Sequence, residues 1–119
     1  TNFTYSDLKT VIHQNKNEPE VTVSFTIRNT GEANGAEVAQ VYVRDLETPV
    51  PRPYKELKGF AKVFLKKGES RRVTITLNKA AFSYFKTAEN RFGYDKGAFE
   101  VLVGSSAEKI LLKSKISLP

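Results

Sequence analysis

Between Val21 and Arg28 every second residue is apolar. Val21, Val23, Phe25 and Ile27 alternate with Thr22, Ser24, Thr26 and Arg28. A period of two belongs to an extended strand with one buried face, because successive side chains point to opposite sides. The same period returns at Ala39, Val41 and Val43, at Val73, Ile75 and Leu77, and at Phe99, Val101 and Val103. Segments 3–12, 57–65 and 110–118 complete a set of about seven predicted strands. Asn29-Thr30-Gly31 and Lys66-Lys67-Gly68 supply turn residues between them. Only residues 79–85 have room for a helical turn. Many short strands without intervening helical patterns predict an all-β fold, a two-sheet antiparallel sandwich, and exclude a parallel α/β architecture.

The 119 residues amount to one domain, 1–119, with no linker, repeat or low-complexity run. A 39% hydrophobic content with 11% aromatics excludes a disordered tail. No run approaches the ~20 apolar residues of a transmembrane helix, so no membrane partner is expected. The chain starts straight into an alternating aromatic segment, without the pattern of a signal peptide. It contains no methionine, which predicts a processed or excised piece of a longer protein.

Chemistry-bearing residues are sparse. With no cysteine and one histidine, disulfides, thiolate nucleophiles and Cys/His metal sites are excluded, and no cofactor is expected. Glycoside hydrolysis needs two carboxylates, about 5–5.5 Å apart in retaining enzymes. The 13 acidic residues fall on turns and outward strand positions, with no spacing that pairs two of them. A Ser-His-Asp triad would have to use His13, which stands among Gln14, Asn15 and Lys16 as a surface residue does. Gly104-Ser105-Ser106 follows a strand, but no helix follows it to cradle a phosphate. Asn2-Phe3-Thr4 fits a glycosylation acceptor, a short and unspecific motif. No catalytic residue and no metal ligand is expected.

The net charge of +6 is uneven: residues 51–72 carry eight basic and two acidic side chains. Such an excess suits nucleic acid, an acidic glycan or simply a solvated face. No nucleic-acid motif accompanies it, so no specific nucleic acid is expected.

Two features go beyond a plain sandwich. On Val38-Ala39-Gln40-Val41-Tyr42-Val43 both faces are largely apolar or aromatic, which predicts a strand covered on both sides. The second cover is either another domain or a loop of this one. The segment 46–57 then holds three prolines, at 49, 51 and 53, with Arg52 and Tyr54. It is either a functional surface or a rigid crossover between the sheets.

These residues carry a resemblance. The runs Gly35–Val43, Pro51-Arg52-Pro53-Tyr54-Lys55-Glu56-Leu57-Lys58-Gly59-Phe60, Leu65–Ser70 and Gly97–Ser106, with an entry segment Thr1–Leu8, make an ordered set over nearly the whole chain. The set resembles the fibronectin type III-like domain at the C-terminus of family 3 glycoside hydrolases, the β-glucosidases and β-xylosidases. Arg91-Phe92 departs from it where a tryptophan is often expected, and residues 84–96 match loosely.

The resemblance implies an immunoglobulin-like sandwich that is not an enzyme by itself. The family's nucleophile and acid/base residue would stand upstream, on other domains. The implied role is an accessory domain that packs on the catalytic domains of the same chain, stabilises them and helps form the rim of the sugar site. Localisation is left open, with a periplasmic or secreted parent as the expectation. Gln40, Tyr42, Arg52, Pro53 and Tyr54 are the candidate docking surface. They are expected to be partly exposed, so that replacing Tyr42 or Arg52 by Ala barely lowers the domain's own stability. The alternative is a module that binds polysaccharide alone, which wants a flat row of Trp or Tyr; there is no Trp, and Tyr5, Tyr54, Tyr84 and Tyr94 form no obvious row. Weak glycan contact is the secondary expectation.

Overall fold

The computed structural model describes residues 2–15, 18–46, 55–86, 89–94 and 97–118, with backbone alone for Asn15, Tyr84 and Phe85. Seven long strands are β1 (Phe3–Asn15), β2 (Glu18–Asn29), β3 (Gly35–Asp45), β4 (Glu56–Leu65), β5 (Ser70–Leu77), β8 (Gly97–Ser106) and β9 (Lys109–Leu118). Between β5 and β8 come a 3-10 turn at Lys79–Phe82 and a short hairpin of β6 (Tyr84–Lys86) and β7 (Arg91–Gly93). One sheet has the order β1-β2-β5 and the other β4-β3-β8-β9, with every pairing antiparallel. The chain is thus an all-β sandwich, and the hairpin at 84–93 is an addition to the seven predicted strands.

The alternating residues become the core. Val21, Val23, Phe25 and Ile27 are fully buried, as are Val41, Val101 and Val103 from the facing sheet. Each such side chain contributes roughly 1.5–3 kcal/mol relative to exposure, which offsets chain entropy without disulfides. Phe82, carried in by the 3-10 turn, closes one end and meets Phe99 edge-on at 5.2 Å. Tyr5 stacks on Phe25 at 5.9 Å, and its hydroxyl donates to Glu37 Oε2 across the two sheets at 3.0 Å. Burial, with the carboxylate beside it, pushes this phenol well above its ordinary pKa.

Among the described residues one polar side chain is fully buried. Asn29 ends β2, and its amide donates to the carbonyls of Ala33 and Leu65 at 2.9 and 3.0 Å. Its side-chain oxygen accepts from the Gly31 N–H, while its own backbone bonds to Glu69 and Gly68. The β2–β3 and β4–β5 turns are therefore clasped together. Gly68 completes the second turn in the left-handed region at φ 78°, which glycine adopts without strain.

The two sheets differ on their outer faces. On β1-β2-β5, Thr22 lies opposite Thr76, Ser24 opposite Thr74 and Thr26 opposite Arg72. The Arg72 guanidinium donates to Ser24, Thr26 and, across β2, to the Asp7 carbonyl. The other outer face sets apolar side chains, Val38, Leu57, Phe60, Phe64 and Leu102, among charged ones, Lys62, Lys113 and Lys115.

Candidate functional site

Register places a row of side chains across the outer face of the four-stranded sheet. Tyr42 pairs with Leu57 of β4 on one side and Leu102 of β8 on the other, and Leu102 pairs with Lys113 of β9. A bulge between Val41 and Tyr42 re-aims β4 at that point. In the next rows Gln40 pairs with Phe60, Val38 with Lys62 and Ala36 with Phe64. Beyond Tyr42 the Arg44 guanidinium holds the Glu100 carboxylate at 2.9 Å, and Lys115 lies opposite Glu100 on β9.

Of the five expected docking residues, two come together. The Tyr42 hydroxyl donates to Gln40 Oε1. Arg52, Pro53 and Tyr54 lie outside the described residues. Tyr42 is only 8% exposed, against the expectation of partial exposure, and its neighbour Leu102 is 3% exposed. The physical reason is lateral. Leu57 and Leu102 are its cross-strand neighbours and Gln40 takes its hydroxyl, so the side chain is covered by groups of its own sheet. It nevertheless stands apart from the cluster of the sandwich core.

The projecting groups are Phe60 and Phe64, 69% and 56% exposed, with Val38 beside them. Sequence reading passed over them although the signal was present. In Phe60-Ala61-Lys62-Val63-Phe64-Leu65 both faces carry apolar residues, the same criterion that singled out β3.

Other candidate chemistries fare differently. Among the described residues no group of three or more His, Cys, Asp or Glu side chains is placed to hold a metal ion. His13 is an exposed residue opposite Glu20. The basic excess of residues 51–72 does not form one patch, because β4 and β5 belong to different sheets. Lys62 projects from one outer face and Arg72 from the other, while Lys67 faces Glu32 and Arg71 faces Glu69. Among the described tyrosine side chains, Tyr5, Tyr42 and Tyr94, none is exposed, so they make no sugar-stacking row. Among the described residues the arrangement offers apolar area and positive charge.

A model of the fibronectin type III-like domain matches residues 37–107. The chain is 40% identical over 116 residues to thermostable β-glucosidase B of Acetivibrio thermocellus, a match covering 98% of this chain and 15% of that protein. It is 45% identical over 89 residues to an exo-α-(1→6)-L-arabinopyranosidase of Bifidobacterium breve, covering 75% of this chain and 12% of that one. Among solved structures, the family 3 β-glucosidase of Bifidobacterium adolescentis superposes with a TM-score of 0.89 at 36% identity, over 98% of this chain and 17% of that one. The chain thus spans between about one-eighth and one-sixth of the length of these relatives. It belongs to the fibronectin type III-like domain family, in the form found C-terminally in family 3 β-glucosidases.

Proposed function

We propose that residues 1–119 form a single accessory domain, cut from the C-terminal end of a family 3 glycoside hydrolase of the β-glucosidase or β-xylosidase type. It carries no catalytic residue. Its work is to pack on the catalytic domains of the same chain, to stabilise them, and to contribute to the rim of the substrate site. Gln40, Tyr42, Arg52, Pro53 and Tyr54 belong to the side that docks. The observation that carries this reading is the apolar outer face of the four-stranded sheet, since a sandwich working alone keeps its outer faces wet. The relatives support it. A β-glucosidase and an arabinopyranosidase share the module at 40% and 45% identity, so the module does not follow the sugar.

The test has two arms. The 119-residue chain, purified, is expected to leave aryl β-glucosides and β-xylosides intact. Turnover that disappears on replacing one of its own carboxylates overturns the reading. The gene is expected to encode catalytic domains upstream of Thr1, and deleting residues 1–119 from that longer protein should lower its melting temperature by several degrees. An unchanged melting temperature overturns the stabilising role.

A further inference from the structure

We infer that the face of this domain that meets the rest of its chain is the outer surface of the four-stranded sheet around Val38, Phe60 and Phe64. The surface it meets is apolar at its centre and acidic opposite Lys62, Lys113 and Lys115. The inference rests on the accessory-domain reading and adds which face docks, and onto what chemistry.

Phe60 and Phe64 project from the same side of β4, and Val38 of β3 lies diagonally between them, opposite Lys62. Diagonal neighbours across a strand pair are within reach of an aromatic ring, so the three form one patch. Burying an aromatic side chain removes roughly 150–250 Å² from water, and more than half of each ring is still exposed here. Single exposed apolar residues are ordinary, whereas a contiguous group on a flat sheet marks an interaction surface. The opposite sheet supplies an internal reference, because β2 and β5 present Thr22, Ser24, Thr26, Thr74 and Thr76 outward, hydroxyls that water satisfies directly, with the single apolar Val11 beside them on β1.

Charge selects the occupant. Lys62 stands between the two phenylalanines on their own side of β4, and exposed Lys113 and Lys115 line the far edge of the face on β9. A second copy of this domain docked through the same face brings these lysines against their own kind, which disfavours a symmetric dimer. A glycan needs a flat run of rings, but Phe60 and Phe64 are about 13 Å apart along the strand, with a lysine interrupting them. An apolar protein surface rimmed by carboxylates suits both features. Proteins of this family place several times this chain's length beside the module, as the 15% and 17% coverage shows.

The experiment uses the full-length protein. The 119 residues contain no cysteine, so Phe60→Cys and, on the hydroxyl face, Thr74→Cys are introduced singly and their reaction with a maleimide is followed by mass spectrometry. The Phe60→Cys thiol is expected to react at least tenfold more slowly than the Thr74→Cys thiol. Adding Lys62→Glu to Phe60→Cys should raise its labelling rate toward that of the exposed site. Equal rates at positions 60 and 74, or protection at 74 alone, overturn the assignment of the face. A rate unmoved by Lys62→Glu overturns the acidic rim. Protection that appears only on adding cellohexaose overturns the protein partner in favour of a glycan. Should the face assignment fail while deletion of residues 1–119 still lowers the melting temperature, the accessory role stands and only the face is wrong.

Discussion

The two outer faces of the sandwich are built on the same backbone pattern and end differently. On β2 and β5 the outward positions are threonines, a serine and the Arg72 strap, which water can solvate, with Lys9 and Val11 beside them on β1. On β4-β3-β8-β9 they include Leu57, Tyr42, Leu102, Val38, Phe60 and Phe64, set among Gln40, Lys62, the Arg44–Glu100 pair, Lys113 and Lys115. Inward residues are equally apolar in both sheets, so the sandwich itself does not require this difference. Alternation makes a strand; the identity of the alternate residue decides whether its far side meets water or another surface.

The largest effect is expected where the apolar face is held together. Gly104 lies at the irregular start of the β8–β9 hairpin, and a Cβ there would sit 2.1 Å from the Lys109 carbonyl oxygen and 2.9 Å from the Ile110 Cα. Both are backbone atoms, which cannot swing away. Gly104→Ala should therefore cost about 3 kcal/mol or more in urea unfolding of the 119-residue chain. A loss below about 1 kcal/mol would mean the hairpin is pliable.

The faces are compared directly by Tyr42→Ala and Thr74→Ala. Because Tyr42 is buried against its own sheet, its loss should cost the domain about 2–3 kcal/mol. This reverses the sequence-based expectation of a silent change. Thr74 is exposed, and its replacement should stay within about 0.5 kcal/mol. Equal costs would erase the distinction between the faces.

The smallest effect lies at the seam between them. Tyr5 has its folded-state pKa raised by burial and by Glu37, so its contribution is fully present below the unfolded value and is lost as pH rises. Stability should fall above about pH 10, where the unfolded phenol ionises first. Tyr5→Phe should shallow that fall by about 1 kcal/mol at most, seen as converging denaturation midpoints in alkaline buffer. Parallel midpoints for both proteins would exclude the linkage.

How much of this was legible in the sequence depends on the range of the signal. The strand at Val21–Arg28, the turn at Lys66-Lys67-Gly68 and the helical turn after residue 78 follow from neighbours in sequence, and all three occur. The hairpin at 84–93 was missed because Phe85, Lys86, Arg91 and Phe92 show no clean alternation, and its chain reverses through Asn90 at φ 52°. The apolar face was half legible. Strand β3 announced it, but joining Val38 to Phe60 and Phe64 needs the β3–β4 register, including the bulge beside Tyr42, and register is a property of two segments. Asn29 read as a turn residue only, because its partners Ala33 and Leu65 are set by the fold.

That asparagine also bears on the order of events in time. Its amide can be satisfied only when the β2–β3 turn and the end of β4, which is 36 residues away in sequence, have both arrived. A bond that waits for two separate crossovers between the sheets needs both sheets in place before it can form. Asn29 therefore acts as a latch on the native state: Asn29→Ala is expected to speed unfolding more than it slows folding, and an equal change in both rates in a chevron plot would overturn this.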